Sequence, residues 1–205
     1  MGRQPVVDQV YLIRHGETAW SLSGQHTGRT DLPLTEHGEQ QARQLGERLR
    51  GLSFSEVLVS PMQRARRTCE LAGLAAVARV DEAIREWDYG EYEGLTGAQI
   101  HARRPDWDVF RDGCPGGESA PQMCARVDAV LSRLRSLAAN VAIFSHGHFL
   151  RALAVRWIEL PLLHGRNFGL NAAALCVLGY EHHSVHEPAI ELWNAVANSS
   201  MPVHS

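Results

Sequence analysis

The sequence predicts an α/β protein of three layers (α/β/α), in which helices cover both faces of a mainly parallel central sheet. Short apolar runs rich in β-branched residues alternate with longer segments of helical periodicity, which is the pattern of consecutive βαβ units. Three of these runs lead directly into polar side chains, namely His15, Ser60 and His146. Because the carboxyl ends of parallel strands share one edge of a sheet, where open α/β sheets bind ligands, we expect these residues to meet.

The length and composition indicate one globular domain. The chain has 205 residues, of which 44% are hydrophobic and 21% are charged, and its formal net charge is −3. This length supports one core more readily than two, so we assign residues 1–194 to a single domain and 195–205 to a polar C-terminal tail. The charge balance argues against a nucleic-acid partner.

The cysteine pattern and the lengths of the apolar runs indicate in which cellular compartment the protein is expected. No C-x-x-C pair occurs, which argues against a zinc or redox motif and favours reduced thiols at Cys69, Cys114, Cys124 and Cys176. Few residues precede the first strand, too few for a signal peptide, and no apolar run reaches the length of a membrane span. We therefore expect a cytoplasmic protein with no membrane partner.

The first part of the chain is predicted as strand, loop and helix. Residues 10–14 form the first buried strand, since they are apolar and β-prone up to the arginine. Glycine, aspartate and proline punctuate residues 19–34, which predicts a long loop. Thr35 is a good N-cap for a helix that runs to about Arg50.

The next part brings a second strand and a second helix. Residues 56–59 predict a strand, and Ser60-Pro61 predicts a helix start, with serine as N-cap and proline in the first turn. Residues 77–80 and 83–86 are predicted as further extended pieces. The aromatic, acidic and glycine-rich stretch from 87 to 94 suits neither a helix nor a long strand.

The rest of the chain repeats the alternation. Thr96 predicts a short helix to Arg103, a loop spans 106–118, and Ser119 opens a long helix through a capping box with Gln122. The remaining predicted elements are a buried strand at 141–144, a helix to about 158, and closing strands at 172–179 and 189–193.

The residues at the predicted sheet edge suit phosphoryl transfer. Arg14 and Arg64 offer planar guanidinium groups to phosphate oxygens. His15 can attack phosphorus when neutral, because an imidazole with a pKa of about 6.5 is largely unprotonated at pH 7. A protonated His146 would add positive charge for the equatorial oxygens. These roles predict a phosphohistidine and require no metal or other cofactor.

Glu86 is the best candidate for the acid that protonates the leaving alcohol. Its loop carries Trp87 and Tyr89, and both partial burial and a neighbouring phosphate favour a protonated carboxyl. After the alcohol leaves, the ionised carboxylate can activate water. The alternative is a surface role for Glu86, with Glu91 or Glu93 as less suitable substitutes.

Two other interpretations compete with catalysis at His15. The pair His146-x-His148 could suggest a metal site, but no third ligand follows at a sensible spacing, so His148 is as readily a pocket wall. A non-catalytic phosphate-binding regulator would be expected to lack at least one of the proposed catalytic residues, and all of them are present.

The pattern as a whole resembles the histidine phosphatase superfamily, whose founding members are the cofactor-dependent phosphoglycerate mutases. Five motifs in the right order carry the resemblance over nearly the whole chain, namely Arg14-His15-Gly16-Glu17-Thr18, Thr27-Gly28 with its following loop, residues 60–68, residues 84–94 and Ser145-His146-Gly147.

The resemblance implies a phosphoglycerate mutase-like fold and a role for several residues in these motifs. His15 is then the phosphorylated nucleophile and Glu86 the proton donor, with phosphate ligands at Arg14, Arg64 and His146. It also implies contacts with the substrate from the backbone or side chains of Ser21, Thr27, Gly28, Tyr89 and Gly147.

The chain differs from the mutases at positions where the mutases carry additional basic residues. Trp87 stands where they carry arginine, Thr96 is near where they carry lysine, and the chain is shorter, all of which favour hydrolysis over transfer. The motifs look most like the branch of broad-specificity acid phosphatases and sedoheptulose-1,7-bisphosphatase-like enzymes. We therefore expect a metal-independent phosphomonoester hydrolase for a small cytoplasmic phosphate ester such as a sugar phosphate. A mutase is the alternative, and a homodimer is left open.

Overall fold

A computed structural model describes residues 9–137 and 139–196. In this part of the chain six strands form one sheet: β1 (Val10–Arg14), β2 (Glu56–Val59), β3 (Ala78–Val80), β4 (Val141–Ser145), β5 (Leu175–Tyr180) and β6 (Pro188–Ala195). Their order across the sheet is β3-β2-β4-β1-β5-β6. The four strands from β3 to β1 are mutually parallel, whereas β5 and β6 are antiparallel to their neighbours.

Short 3₁₀ turns occur in some of the connections, and helices lie on both faces of this sheet. They are α1 (Ala19–Ser23), α2 (Glu36–Leu49), α3 (Gln63–Leu71), α4 (Gly97–Arg103), α5 (Val109–Asp112), α6 (Ala120–Leu134) and α7 (Gly147–Trp157). The N-caps Thr35, Thr96 and Ser119 are confirmed, because each side chain accepts a hydrogen bond from the third amide of its helix.

The central strand β1 shows how the two faces of the sheet are covered. Leu12 belongs to an apolar cluster that includes Leu153 of α7 and residues of α6. Ile13, the next residue, points to the opposite face and joins a second cluster with Leu45 of α2. Both residues are fully buried, as expected for a strand with helices on both sides. The predicted three-layer fold with a mainly parallel sheet is confirmed.

Two predicted loops contain short helices. Residues 19–34 begin with α1, which Thr18 and Ser21 close through a capping box, and residues 106–118 contain α5, capped by Asp108. These helices have 5 and 4 residues. Such lengths are too short for an apolar periodicity of 3.6 to show in a sequence, so only the caps could have indicated them.

Two further predictions about local structure were wrong. α3 begins at Gln63, after Met62, and no side chain caps it. The hydroxyl of Ser60 lies 2.7 Å from Nε2 of His146 and accepts a long bond, 3.5 Å, from the amide of Met62. Residues 83–86 are not a strand: a 3₁₀ turn over Glu82–Ile84 precedes Glu86. The predicted tail at 195–205 overlaps β6 at Ala195, and residues 197–205 lie outside the described part of the chain.

Candidate active site

The carboxyl ends of β1, β4 and β2 bring the predicted residues together. β4 lies between the other two strands, with Arg14 opposite Ser145 and Val59 opposite Phe144. The ladders continue one residue further, since the amide of His15 donates to the carbonyl of Ser145 at 3.0 Å. The expected meeting of the three strand ends at one edge of the sheet is confirmed.

His15 has one ring nitrogen fixed and the other free. Its Nδ1 lies 2.7 Å from the carbonyl oxygen of Gly16, and because a carbonyl can only accept, Nδ1 carries the proton. Nε2 therefore holds a lone pair. Burial lowers the pKa of His15 well below 6.5, and the charges of Arg64 and Arg14 lower this pKa further. The imidazole is neutral at pH 7 and ready to act as a nucleophile.

Arg14 carries a buried N–H group that lacks a partner. Nη1 donates to the carbonyl of Leu170, whereas Nε is buried and makes no hydrogen bond within the described ranges. A buried donor without an acceptor is costly in a folded protein. The guanidinium lines the same cavity as His15, so a phosphate oxygen placed there would satisfy it.

Arg64, His146 and Ser60 form a buried network behind His15. The Nε–H of Arg64 donates to Nδ1 of His146 at 3.2 Å, and Nε2 of His146 lies 2.7 Å from the Ser60 hydroxyl. Burial and the charge of Arg64 lower the pKa of His146 well below its usual value. The sequence argument gave His146 a positive charge on the condition that it is protonated, and the structure has an imidazole whose Nδ1 accepts from an arginine. The ring centres of His146 and His15 are 5.3 Å apart.

Arg64 is more fully engaged by the protein than the sequence suggests. Besides the bond to His146, its Nη atoms donate to the carbonyls of Thr27, Gly28 and Thr30, each at 3.0 Å. Four hydrogen bonds thus occupy a group with five N–H donors. Arg64 fixes the 27–30 loop beside the cavity, and one N–H on Nη1 is left over. Arg64 and His146, both predicted as phosphate ligands, are fully buried behind His15 and are not among the residues that line its cavity.

Glu86 lies at the N-terminus of α7, where three backbone amides hold its carboxylate. Oε1 accepts from the amides of Trp87 and Phe149, each at 2.9 Å, and Oε2 accepts from the amide of His148 at 3.0 Å. The amides and the positive end of the helix dipole favour a carboxylate here, so the protonated form that the sequence argument expects requires the negative charge of a bound phosphate nearby. Since each carboxylate oxygen has two lone pairs, Oε2 keeps one for a proton. Glu86 lines the cavity with His15 and Arg14.

The remaining predicted substrate contacts fall into two groups. Ser21, Thr27, Tyr89 and Gly147 line the cavity, whose volume is about 180 Å³. The amide of Gly28 instead donates to both oxygens of the Glu93 carboxylate, at 2.9 and 3.0 Å. The N–H of Gly28 is therefore bound to Glu93, whereas the resemblance implied that it binds phosphate.

The sequence analysis did not predict all the residues that line the cavity. His26 and Arg151 also line the cavity, and so does His148, whose role was left open. His26 stacks on His148 with ring centres 5.9 Å apart. Arg151 could have been found from the sequence, because residues three apart on a helix share a face and α7 carries His148 and Arg151 at that spacing.

Metal and membrane features are lacking in residues 9–137 and 139–196. There, no group of three or more histidine, cysteine, aspartate or glutamate side chains is arranged to hold a metal ion. None of the helices in these ranges combines the length and the apolar character needed to cross a bilayer.

Comparisons with known proteins agree with this geometry. The family model of the histidine phosphatase superfamily (branch 1) matches residues 10–196. An acid phosphatase of Mycobacterium tuberculosis is 45% identical over 178 residues, covering 85% of this chain and 87% of the relative. Sedoheptulose 1,7-bisphosphatase of Saccharomyces cerevisiae is 32% identical, covering 88% and 90%. A probable phosphoglycerate mutase, GpmB, of Salmonella choleraesuis is 35% identical, covering 84% and 85%.

A solved structure supports the fold. The product of open reading frame Rv3214 of Mycobacterium tuberculosis superposes with a TM-score of 0.87 at 39% identity, covering 93% of this chain and 99% of that one. The resemblance noted in the motifs is confirmed by this match and by the family model. The chain belongs to the histidine phosphatase superfamily and is a phosphatase of that superfamily.

Proposed function

We propose that this protein hydrolyses small phosphate monoesters, such as sugar phosphates, through a phosphohistidine at His15 and without a metal ion. One observation carries the proposal: a neutral His15 with a free Nε2 shares a small cavity with the unpartnered Nε–H of Arg14 and the carboxyl of Glu86. A nucleophile, an anion-binding group and an acid are thereby in reach of one phosphate.

The first step forms the phosphoenzyme. Nε2 of His15 attacks phosphorus as the bond from phosphorus to the ester oxygen breaks. Arg14 binds the non-bridging oxygens, and the charge of Arg64, buried beside His15, helps to offset theirs. The departing oxygen takes a proton from Oε2 of Glu86 and leaves as an alcohol.

The second step returns the enzyme to its starting state. The ionised Glu86 accepts a proton from a water molecule, whose oxygen attacks phosphorus while the bond to Nε2 breaks. Inorganic phosphate leaves, and Glu86 is again protonated for the next turn. Because α7 fixes both carboxylate oxygens, the same group can act as acid and then as base without moving.

Hydrolysis is favoured over transfer by the surroundings of Glu86. The Trp87 side chain is fully buried and donates its indole N–H to the carbonyl of Glu118 at 2.8 Å, so this position adds no positive charge to the cavity. The similarity to a probable mutase keeps phosphoglycerate mutase as the second candidate. Interconversion of 2- and 3-phosphoglycerate that requires 2,3-bisphosphoglycerate would establish that candidate instead.

A reducing compartment is consistent with the thiols, and we place the substrate in the cytoplasm. Cys69, Cys114, Cys124 and Cys176 are all unpaired in the structure. Burial raises the pKa of Cys69, Cys114 and Cys176 to about 12, which keeps these thiols protonated and unreactive at neutral pH.

The decisive experiment traps the intermediate. Rapid mixing with a ³²P-labelled phosphate ester followed by denaturation should yield a phosphoenzyme that is labile in acid and stable in alkali. His15→Ala should remove both the label and the turnover, whereas His37→Ala, at an exposed histidine of α2, should keep them. Turnover should also persist in EDTA. An active His15→Ala variant, or turnover that EDTA abolishes, would refute the mechanism.

A further inference from the structure

Arg126 of α6 binds the backbone of the segment that carries Glu86. Its Nη1 donates to the carbonyls of Ala83 and Arg85, at 2.9 and 2.8 Å. Arg85 is the residue immediately before Glu86, so this contact fixes the point at which Glu86 leaves the preceding 3₁₀ turn. Arg126 lies outside the set of residues that line the catalytic cavity. Its part in the reaction is therefore one of positioning, without contact with the substrate.

Glu118 fixes Arg126 and adds two contacts of its own to the same segment. Its carboxylate oxygens accept from Nε and Nη2 of Arg126, at 2.8 and 2.7 Å, in the bidentate geometry of a strong ion pair. The carbonyl of Glu118 accepts the indole N–H of Trp87 at 2.8 Å, and its amide donates to the carbonyl of Asp88, also at 2.8 Å. The Arg126–Glu118 pair thus binds the chain on both sides of Glu86.

The same guanidinium packs on α7, which holds the carboxylate of Glu86. Its central carbon lies 5.1 Å from the centre of the Phe149 ring, a cation–π contact. The amide of Phe149 donates to Oε1 of Glu86 at 2.9 Å. Arg126 therefore contacts the backbone from which the Glu86 side chain starts and the residue at which that side chain ends.

The ion pair is largely shielded from water and has a single orientation. The side chains of Arg126 and Glu118 are 21% and 13% exposed. A fifth contact, from Nη2 of Arg126 to the sulfur of Met123 at 3.4 Å, matches the last of the five N–H groups of a guanidinium. Removing Arg126 would release two carbonyls of the Glu86 segment and leave the Glu118 carboxylate without its charged partner, which is costly for a group with little access to water.

We infer that Arg126 is a positioning residue for the acid/base carboxyl, and that the Arg126–Glu118 pair keeps Glu86 at the distance from the ester oxygen that proton transfer requires. Both steps of the proposed reaction pass a proton through Glu86, and such a transfer needs heavy atoms within hydrogen-bond reach. A shift of about 1 Å in a reacting group can cost roughly 100-fold in rate. This inference rests on the proposed hydrolysis through His15 and Glu86, to which it adds a further residue.

A series of leaving groups tests the role, because the need for an acid grows with the pKa of the departing alcohol. The readout is kcat/KM of the purified full chain for 4-nitrophenyl, phenyl and alkyl phosphates. We expect Arg126→Gln to lower kcat/KM by roughly 10- to 100-fold for phenyl and alkyl phosphates, and by only about 2- to 3-fold for 4-nitrophenyl phosphate. A loss of folded enzyme lowers all substrates by one factor, so it leaves their ratio unchanged.

Two further variants probe the same pair. Arg126→Lys keeps the charge and one or more donors for the carbonyls, and should restore part of the wild-type ratio. Glu118→Gln weakens the ion pair but keeps the backbone contacts of residue 118, and should shift the ratio in the same direction by a smaller factor. If Arg126→Gln yields too little folded protein to measure, the ratio in Glu118→Gln decides the question.

Arg156→Gln is the matched control. Arg156 also joins α7 to α6 through a bidentate pair, with Asp128 at 2.9 and 3.0 Å. Its other hydrogen bond goes to the carbonyl of Leu160, away from the segment that carries Glu86. This variant should keep the wild-type ratio between substrates.

A double-mutant cycle separates the positioning role from the underlying chemistry. On top of Glu86→Gln the acid is absent, so Arg126→Gln should change the ratio no further. An equal loss for all leaving groups in Arg126→Gln, or the same shift with and without Glu86→Gln, overturns the positioning role. The phosphoenzyme at His15 would still form in either case, so the proposed function would stand. Failure to trap the phosphoenzyme would refute the proposed function whatever Arg126 does.

Discussion

At the scale of one residue, the fold positions Glu86 to act both as a general acid and as a general base. Its carboxylate accepts hydrogen bonds from three backbone amides, two of which lie at the start of α7. Glutamine keeps the shape of this side chain but offers a single acceptor oxygen and no transferable proton. Replacing Glu86 by glutamine therefore removes the acid and the base while retaining most of the volume.

We expect Glu86→Gln to lower turnover of alkyl phosphates by about 10²- to 10⁴-fold, the usual contribution of general acid–base catalysis. 4-Nitrophenyl phosphate, with a good leaving group, should lose less in the first step and give a burst of one nitrophenol per enzyme. The phosphoenzyme then accumulates because water is no longer activated. Glu91→Gln, at an exposed acid of the same loop, is the control. An equal loss for all leaving groups, without a burst, would remove Glu86 from the acid role.

The identity of the reacting groups was predictable at this scale, whereas their protonation was not. His15, Arg14 and Glu86 stand in recognisable motifs, and the structure places them around one cavity. The neutral form of His146 depends on Arg64, 82 positions away in the chain, and on Ser60. Contacts of such range leave no trace in local sequence, which is why the sequence could state the charge of His146 only as a condition.

At the scale of elements, α2 is pressed against the loop that carries His15. The amide of Thr35 donates to the carbonyl of Glu17 at 2.9 Å. A Cβ added at Gly38 would lie 2.2 Å from that same oxygen, and one added at Gly16 would lie 2.4 Å from the carbonyl oxygen of Gly38. Both glycines are therefore needed for the close approach of two backbones.

Gly38→Ala should lower the free energy of unfolding by about 1–3 kcal/mol, the usual cost of overpacking. It should also reduce kcat/KM, because the neighbouring backbone must shift and His15 moves with it. Gly97→Ala is the matched control: nothing lies within 4 Å of its added Cβ, so stability should be unchanged or rise by up to about 1 kcal/mol. Urea unfolding and steady-state kinetics measure both effects. A Gly38→Ala variant as stable as Gly97→Ala would contradict the argument.

Elements with strong periodicity or good caps were predictable, such as α2 and α6, whose apolar stripes are buried as expected. α1 and α5 were not, because a single helical turn carries no period. The start of α3 was misplaced for a different reason. Ser60 and Pro61 are good helix-start residues, but the helix begins three residues after Ser60, whose hydroxyl contacts His146 from another strand end.

At the scale of the whole molecule, four histidines have pKa values that the folded structure lowers, which links stability to pH. Burial is the main cause for all four, His15, His26, His146 and His148. In the unfolded chain these residues bind protons near pH 6.5, whereas the folded chain resists protonation until much lower pH. The unfolded state therefore binds more protons below pH 6.5, and stability must fall as the pH falls.

We expect the free energy of unfolding to decrease between pH 7.5 and 5.5 with a slope of up to about 1.4 kcal/mol per pH unit for each buried histidine. Urea unfolding at several pH values measures the slope. His148→Gln should flatten it by one such increment, and His37→Gln, at an exposed position, serves as the control. Stability that stays constant or rises on acidification would show that the histidines are protonated in the folded state.

The position of β1 in the sheet has a consequence for biosynthesis. The strand that carries the nucleophile emerges first, yet its two neighbours are β4 and β5, which end at Ser145 and Tyr180. At roughly 5–20 residues per second, a ribosome needs about 10–30 s to make the intervening chain. During this interval β1 has two unpaired edges and an apolar surface exposed. Chaperone binding to the nascent chain is therefore expected at its first strand, and a message truncated before β5 would yield no phosphatase.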